Sequence, residues 1–136
     1  MKKYVVGFMF SPDKQFVALI KKNRPEWQAG KLNGIGGKIE DGETPRAAMV
    51  REFQEETGVR TYNEDWEIAG RIEGAEFLVF ILRAFSDRVM YVGTVTDEKV
   101  NLYITDHVSD REIVPNLTVI IPALLLPDIT GFFLTY

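Results

Sequence analysis

Three glutamates crowd into the stretch Arg51–Val59, "REFQEETGV". Glu52, Glu55 and Glu56 stand at i, i+3 and i+4, so on a helix their side chains share one face. Like charges at that spacing weaken an isolated helix by roughly 0.2–0.5 kcal/mol per pair. Carboxylate oxygens gathered in this way suit hard divalent cations such as Mg2+ or Mn2+. On these residues alone two readings stay open: a solvated acidic face, or a cation seat that turns the repulsion into affinity. The lead-in "GIGGKIEDGE" is glycine-rich, which lets backbone approach a ligand closely.

A helix over 44–58 is needed to hold those side chains, and its ends are marked. Thr44 is a suitable N-cap, Pro45 takes the favoured first position, and Gly58 is a natural stop. Met49, Val50 and Phe53 make a core stripe at helical spacing, while Ala48 falls on the glutamate side and leaves room above it. Before the helix, "KYVVGFMF" and "QFVALIKK" read as a hairpin around "SPDK". Residues 23–33 read as a loop carrying Trp27, and one short strand fits the glycine-rich segment. After the helix, "WEIAGRIEG" and "EFLVFILRAF" read as paired strands and "KVNLYIT" as another. "NLTVIIPALLL" reads as a second, buried helix despite Pro122. Strands flanked by two helices predict a mixed α/β sandwich.

The 136 residues predict one domain spanning 1–136, with no repeat and no linker. A net charge of −4 disfavours sequence-independent binding to nucleic acid. The absence of cysteine removes disulfides and thiolate metal sites. "MKKYVVGFMF" lacks a cleavage site and reads as a strand, not a signal peptide. Pro122, Pro127, Asp128 and Gly131 break the apolar C-terminal run, so no membrane span is expected and a cytoplasmic location is the default. The sequon at Asn116 is read as chance.

From Gly37 the chain runs five residues to Glu43, seven more to Arg51, then Arg51-Glu52-Phe53-Gln54-Glu55-Glu56-Thr57-Gly58-Val59. This resembles the Nudix box, G-x5-E-x7-R-E-U-x-E-E-x-G-U, with U apolar. Such a set of identities arises by chance on the order of once in 10⁸ start positions. The resemblance implies an α/β/α sandwich around a mixed sheet, with the box as loop–helix–loop. It implies Mg2+-dependent (or Mn2+-dependent) hydrolysis of a nucleoside diphosphate linked to another group. In that reading Glu52, Glu55 and Glu56 are metal ligands, joined by a carbonyl near Gly37. Arg51 orients the carboxylates, Glu43 supports the loop, and Gly58 closes the helix. Glu98, in "TDEKV", is the candidate general base from outside the box, with Glu112 a weaker alternative. His107 is read as surface. Lys38 is either a phosphate contact or an exposed lysine.

"AGKLNGIGGKIEDGET" also resembles the MutT-like oxidised-purine nucleoside triphosphatases. That implies Asn33 at the purine edge and Trp27 lining the base pocket, with a (d)NTP as substrate. Asn116 and Leu117 stand where mammalian-type members carry two base-reading acids, which weakens an oxidised-purine preference. Asn116 is kept as a substrate-binding candidate. Rival readings are a nucleotide-sensing module without turnover, and a hydrolase of a dinucleotide or ADP-sugar. The expected partner is a small nucleotide, with monomer and homodimer both open.

Overall fold

Side chains that alternate between two buried faces dictate a central sheet, and the computed structural model, which describes residues 1–129 and 131–135, shows one of eight strands. The first two strands, β1 (Lys2–Phe10) and β2 (Phe16–Lys21), form the expected hairpin. Its turn is held by Asp13, whose Oδ1 accepts from Ser11 Oγ at 2.6 Å and from the Gln15 N–H at 3.0 Å. The expected loop over 23–33 contains a 3-10 turn at Glu26–Gln28 and ends in the two-residue β3 (Leu32–Asn33). Next come β4 (Ile35–Lys38), α1 (Pro45–Thr57), β5 (Glu67–Glu73), β6 (Phe77–Phe85), β7 (Lys99–Ile104), α2 (Leu117–Leu124) and β8 (Phe132–Thr135).

β1 is the hub of the sheet. It lies parallel to β6 along its whole length, and its other edge is shared between β4 and β2, both antiparallel. β7 runs along the whole of one edge of β2, the short β3 pairs with Ile20 and Lys21 on the opposite edge, which β1 shares at Val17, and β5 pairs antiparallel with β6. β8 closes the far edge, parallel to β5. The sequence analysis assigns no strand to this segment. Its signal is four residues long and its partner strand lies some sixty positions away, so no local periodicity announces it.

The two faces hold separate cores. Val5 and Met9 of β1, Ala18 and Ile20 of β2, and Leu82 of β6 face α1. Phe8 and Phe10 of β1, Leu19 of β2 and Ile81 of β6 face α2. Burial on both sides explains why β1 reads as a nearly continuous apolar run. The result is an α/β/α sandwich around a mixed sheet, as expected.

α1 begins and ends as its sequence predicts. Thr44 Oγ1 accepts from the Ala47 N–H at 3.1 Å, and Gly58 closes the helix at φ 78°, a left-handed position that favours glycine. The helix sits hard against β1 at Gly7, where a Cβ would lie 2.4 Å from Met49 Sδ. Met49 and Phe53 are buried, with Val50 partly so. Ala48 departs from expectation: it is fully buried in the core, where its small side chain permits close packing instead of opening space beside the glutamates. α2 is short, ending two residues beyond Pro122, and buries Leu117, Ile120, Ile121 and Leu124. The Arg83 guanidinium caps its C-terminal end, donating from Nη1 to the Leu124 and Leu126 carbonyls at 2.7 and 2.8 Å. Among the described residues no helix is long and apolar enough to cross a membrane.

Candidate active site

Arg51 organises the exposed face of α1. Its guanidinium grips Glu43 with two bonds, Nε to Oε2 at 2.8 Å and Nη2 to Oε1 at 2.9 Å. Nη2 also donates to the Lys38 carbonyl at 3.0 Å, which ties the helix to the end of β4. Nη1 turns to the glutamates, reaching Glu52 Oε1 at 2.9 Å and Glu55 Oε2 at 3.5 Å. Such a planar fork matches carboxylates in a way that an ammonium does not. The bonds from Arg51 hold the Glu43 carboxyl below the usual carboxylate range, and Glu43 in turn raises the guanidinium's pKa.

Glu52 lies over bare backbone. A Cβ on Gly37 would stand 2.4 Å from Glu52 Oε1, so only glycine leaves the carboxylate its place. Burial raises the Glu52 pKa, and the contact with Arg51 opposes the rise. Glu56 is the outlier. Its Oε2 is buried and has no hydrogen-bond partner among the described residues. Burial first, and then the charges of Glu52, Glu98 and Glu55, push its pKa up to about 7 against the pull of Lys22. Glu55 points to solvent, its side chain 57% exposed.

The donor set fits a hard cation. It is all carboxylate oxygen, it includes one buried oxygen with nothing bonded to it, and it adjoins glycine backbone. The side chains do not converge unaided: among the described residues, no three acidic or imidazole groups are arranged to hold a metal ion. Arg51 accounts for this, because it occupies Glu52 and Glu55.

Glu98 stands near this cluster but in another state. Although burial opposes its charge, Oε2 accepts from the Asn23 N–H at 2.6 Å and Oε1 from Lys22 Nζ at 2.9 Å. The Arg24 N–H adds a longer contact at 3.4 Å, and together these donors lower the pKa. Glu98, the candidate general base from outside the box, accepts hydrogen bonds at both oxygens, and these tie the 22–24 segment to the residue that precedes β7. Glu112 and His107 are exposed, and His107 Nδ1 lies 3.3 Å from Asp110.

A cleft of about 1220 Å³ runs from Lys22, Gly36 and Gly37 to Phe77 and the start of β1. Trp27, Asn33 and Asn116, the substrate-binding candidates of the sequence analysis, all line it. Lys38 does not line it; its side chain is exposed and its carbonyl serves Arg51. Lys22 and Gln28 were missed. Lys22 is signalled only by its place at the end of a strand, and Gln28 lies in a loop with no periodicity to single it out.

Comparison with known proteins agrees with this geometry. A family model described as NUDIX domain matches residues 1–121. The 8-oxo-dGTP diphosphatase of Escherichia coli strain K12 is 64% identical over 31 residues, 23% of this chain and 24% of that protein. The chain thus matches about a quarter of the length of that curated relative. A solved MutT from work on Aliivibrio salmonicida and Vibrio cholerae superposes with a TM-score of 0.77 at 18% identity, covering 91% of this chain and 96% of the other. The MutT protein of Bacillus halodurans gives 0.73 at 20% identity, with 99% and 91% covered. The NUDIX domain of Shewanella oneidensis NrtR, solved with ADP ribose, gives 0.70 at 16% identity, with 90% and 84% covered. At these identities the likeness is one of fold.

Proposed function

The chain belongs to the NUDIX domain family, and on that premise we propose that it is a divalent-metal-dependent pyrophosphohydrolase acting on nucleoside triphosphates. Members of this family generally use a divalent metal. The observation that carries the reading is Glu56: a half-buried carboxylate with an unpartnered oxygen, beside two further glutamates and next to a cleft of nucleotide size. A protein does not keep such a group for stability, since its burial costs free energy that a cation returns.

Glu52, Glu55 and Glu56 would hold the ion, Mg2+ or Mn2+, with backbone near Gly37 adding a ligand. When bound, the metal neutralises diphosphate oxygens and lowers the pKa of water. The remaining work falls to this chain's own groups. Arg51 sets the side-chain directions of Glu52 and Glu55 from its anchor on Glu43. Lys22, lining the cleft, offers a positive charge to an anionic substrate. We assign the proton of the attacking water to a helix carboxylate; Glu98, which accepts from Lys22 and the Asn23 N–H, is the candidate from outside the box, and a pH–rate profile of Glu98→Gln tests between them. Trp27, Asn33 and Asn116 contact the nucleoside.

A second reading has its own support. The cleft exceeds the roughly 300–1,000 Å³ of most ligand pockets, which leaves space for a nucleoside diphosphate carrying a sugar. The NrtR domain was solved with ADP ribose, a molecule of that kind. A panel of (d)NTPs, dinucleotides and ADP-sugars, assayed with Mg2+ and Mn2+ for pyrophosphate and phosphate release, decides between them. Glu56→Gln is expected to lose about a hundredfold in turnover. Wild-type turnover and metal binding in that variant would refute the assignment.

A further inference from the structure

Two side-chain amides line the cleft near the exposed ring of Trp27, and neither is free to choose its orientation. The Gly34 N–H can only donate, and it donates to Asn33 Oδ1 at 2.8 Å. That assigns the oxygen. Asn33 Nδ2 therefore faces away, donating to Gln28 Oε1 at 3.1 Å. The Gln28 oxygen is now engaged as well, so its Nε2 group keeps both hydrogens and donates to nothing among the described residues. One backbone amide thus orients two side chains in series. Counting what remains, Asn33 Nδ2 has one N–H uncommitted and Gln28 Nε2 has two, while both oxygens are already accepting.

We infer that Gln28 and Asn33 form one base-reading unit that presents donors, selecting the O6/N7 edge of a 6-oxopurine stacked on Trp27. This rests on the nucleotide-hydrolase reading and narrows its substrate. A 6-oxopurine offers two adjacent acceptors at that edge, whereas adenine offers an amino donor beside N7. Adenine therefore meets donor with donor and leaves polar groups of the site unpaired. Oxidation at C8 places a hydrogen on N7 and converts that acceptor into a donor. The same unit consequently rejects 8-oxoguanine in favour of the parent base. Cytosine presents adjacent acceptors at N3 and O2, but its smaller ring overlaps less of the indole.

The test is binding of GMP, IMP, AMP, CMP and 8-oxo-GMP, followed by tryptophan fluorescence and calorimetry so that turnover plays no part. GMP and IMP are expected to bind about tenfold or more tighter than AMP and 8-oxo-GMP. Gln28→Glu keeps an oxygen for Asn33 but replaces the two donors with an acceptor. It is expected to weaken GMP about tenfold and move the preference toward AMP, a reordering that a merely structural glutamine would not produce. Gln28→Leu should flatten the panel, with circular dichroism confirming the fold. Equal binding of GMP and AMP by the wild type, tighter binding of 8-oxo-GMP than GMP, or an unchanged order in Gln28→Glu would each overturn the inference. Mg2+-dependent turnover of the matching triphosphates separates the two levels. Equal turnover of every base removes the reader and keeps the hydrolase, while no binding and no turnover of any nucleotide removes both.

Discussion

Glu56 on α1 and Glu98 before β7 lie close enough that the charge of Glu98 raises the pKa of Glu56, yet their charges are settled in opposite ways. Glu98 is only 4% exposed, and its pKa is lowered. Glu56 is less deeply buried, and its pKa rises to about 7. Surface exposure alone therefore does not decide the matter: burial is the first cause of the rise at Glu56, while at Glu98 the hydrogen-bond donors outweigh it. Glu98 receives an ammonium and two backbone N–H groups, whereas Glu56 Oε2 receives nothing. The supply of donors separates a carboxylate that holds the structure together from one left waiting for a cation.

The largest expected effect lies on the satisfied side. Glu98→Ala strands Lys22 and the two N–H groups of the 23–24 backbone, all of which bond to that carboxylate now. Removing one member of a buried, hydrogen-bonded pair costs about 3–5 kcal/mol, and Lys22 is partly solvated, so a loss of about 3 kcal/mol in urea unfolding is expected. Glu56→Gln should leave stability unchanged or raise it when metal is absent. Equal losses in the two variants would erase the contrast.

Their pH dependences should have opposite signs. The lowered pKa of Glu98 stabilises the fold above the unfolded value of about 4.3, and that stability is lost as pH falls through the folded value. The raised pKa of Glu56 means the folded state holds its proton longer than the unfolded chain does. Stability then falls as pH rises from about 4.3 towards 7, by about 1–3 kcal/mol, and stays lower above that. Urea midpoints across this range in chelator should show the decline in the wild type and a smaller one in Glu56→Gln, where Glu52, whose pKa burial also raises, remains to supply it. Excess Mg2+ should restore stability at the alkaline end.

What could be read from the chain divides along the same line. The box, the caps of α1 and the core positions Met49 and Phe53 are local patterns, and each appears where its spacing put it. The state of Glu98 is not local. Its donors come from Lys22, Asn23 and Arg24, more than seventy positions away, and nothing in "TDEKV" announces them. β8 and the Gln28–Asn33 pair were hidden for related reasons, one by a distant parallel partner and the other by lying in a loop. Ala48 shows that helical spacing alone did not tell a core position from a site position at the boundary between them.

Arg51→Lys sharpens the comparison on the side of α1. Lysine keeps the charge but cannot hold Glu43 through two bonds while reaching Glu52 and the Lys38 carbonyl. A loss of about 1–2 kcal/mol is expected, together with weaker Mn2+ binding by calorimetry. Unchanged metal affinity would show that Glu52 needs no orientation from the arginine.

The smallest effect serves as a control on locality. Thr44→Ala removes the bond from the Ala47 N–H and should cost about 1 kcal/mol. Thr44 lies twelve positions from Glu56, about 18 Å along a helix rising 1.5 Å per residue. If the burial and charges immediately around Glu56 set its pKa, the variant should lose the same stability at every pH and keep the wild-type slope between about 4.3 and 7. A flattened slope would mean that fraying of α1 lets water reach Glu56, and that the helix as a whole, not the immediate surroundings, keeps that carboxylate protonated.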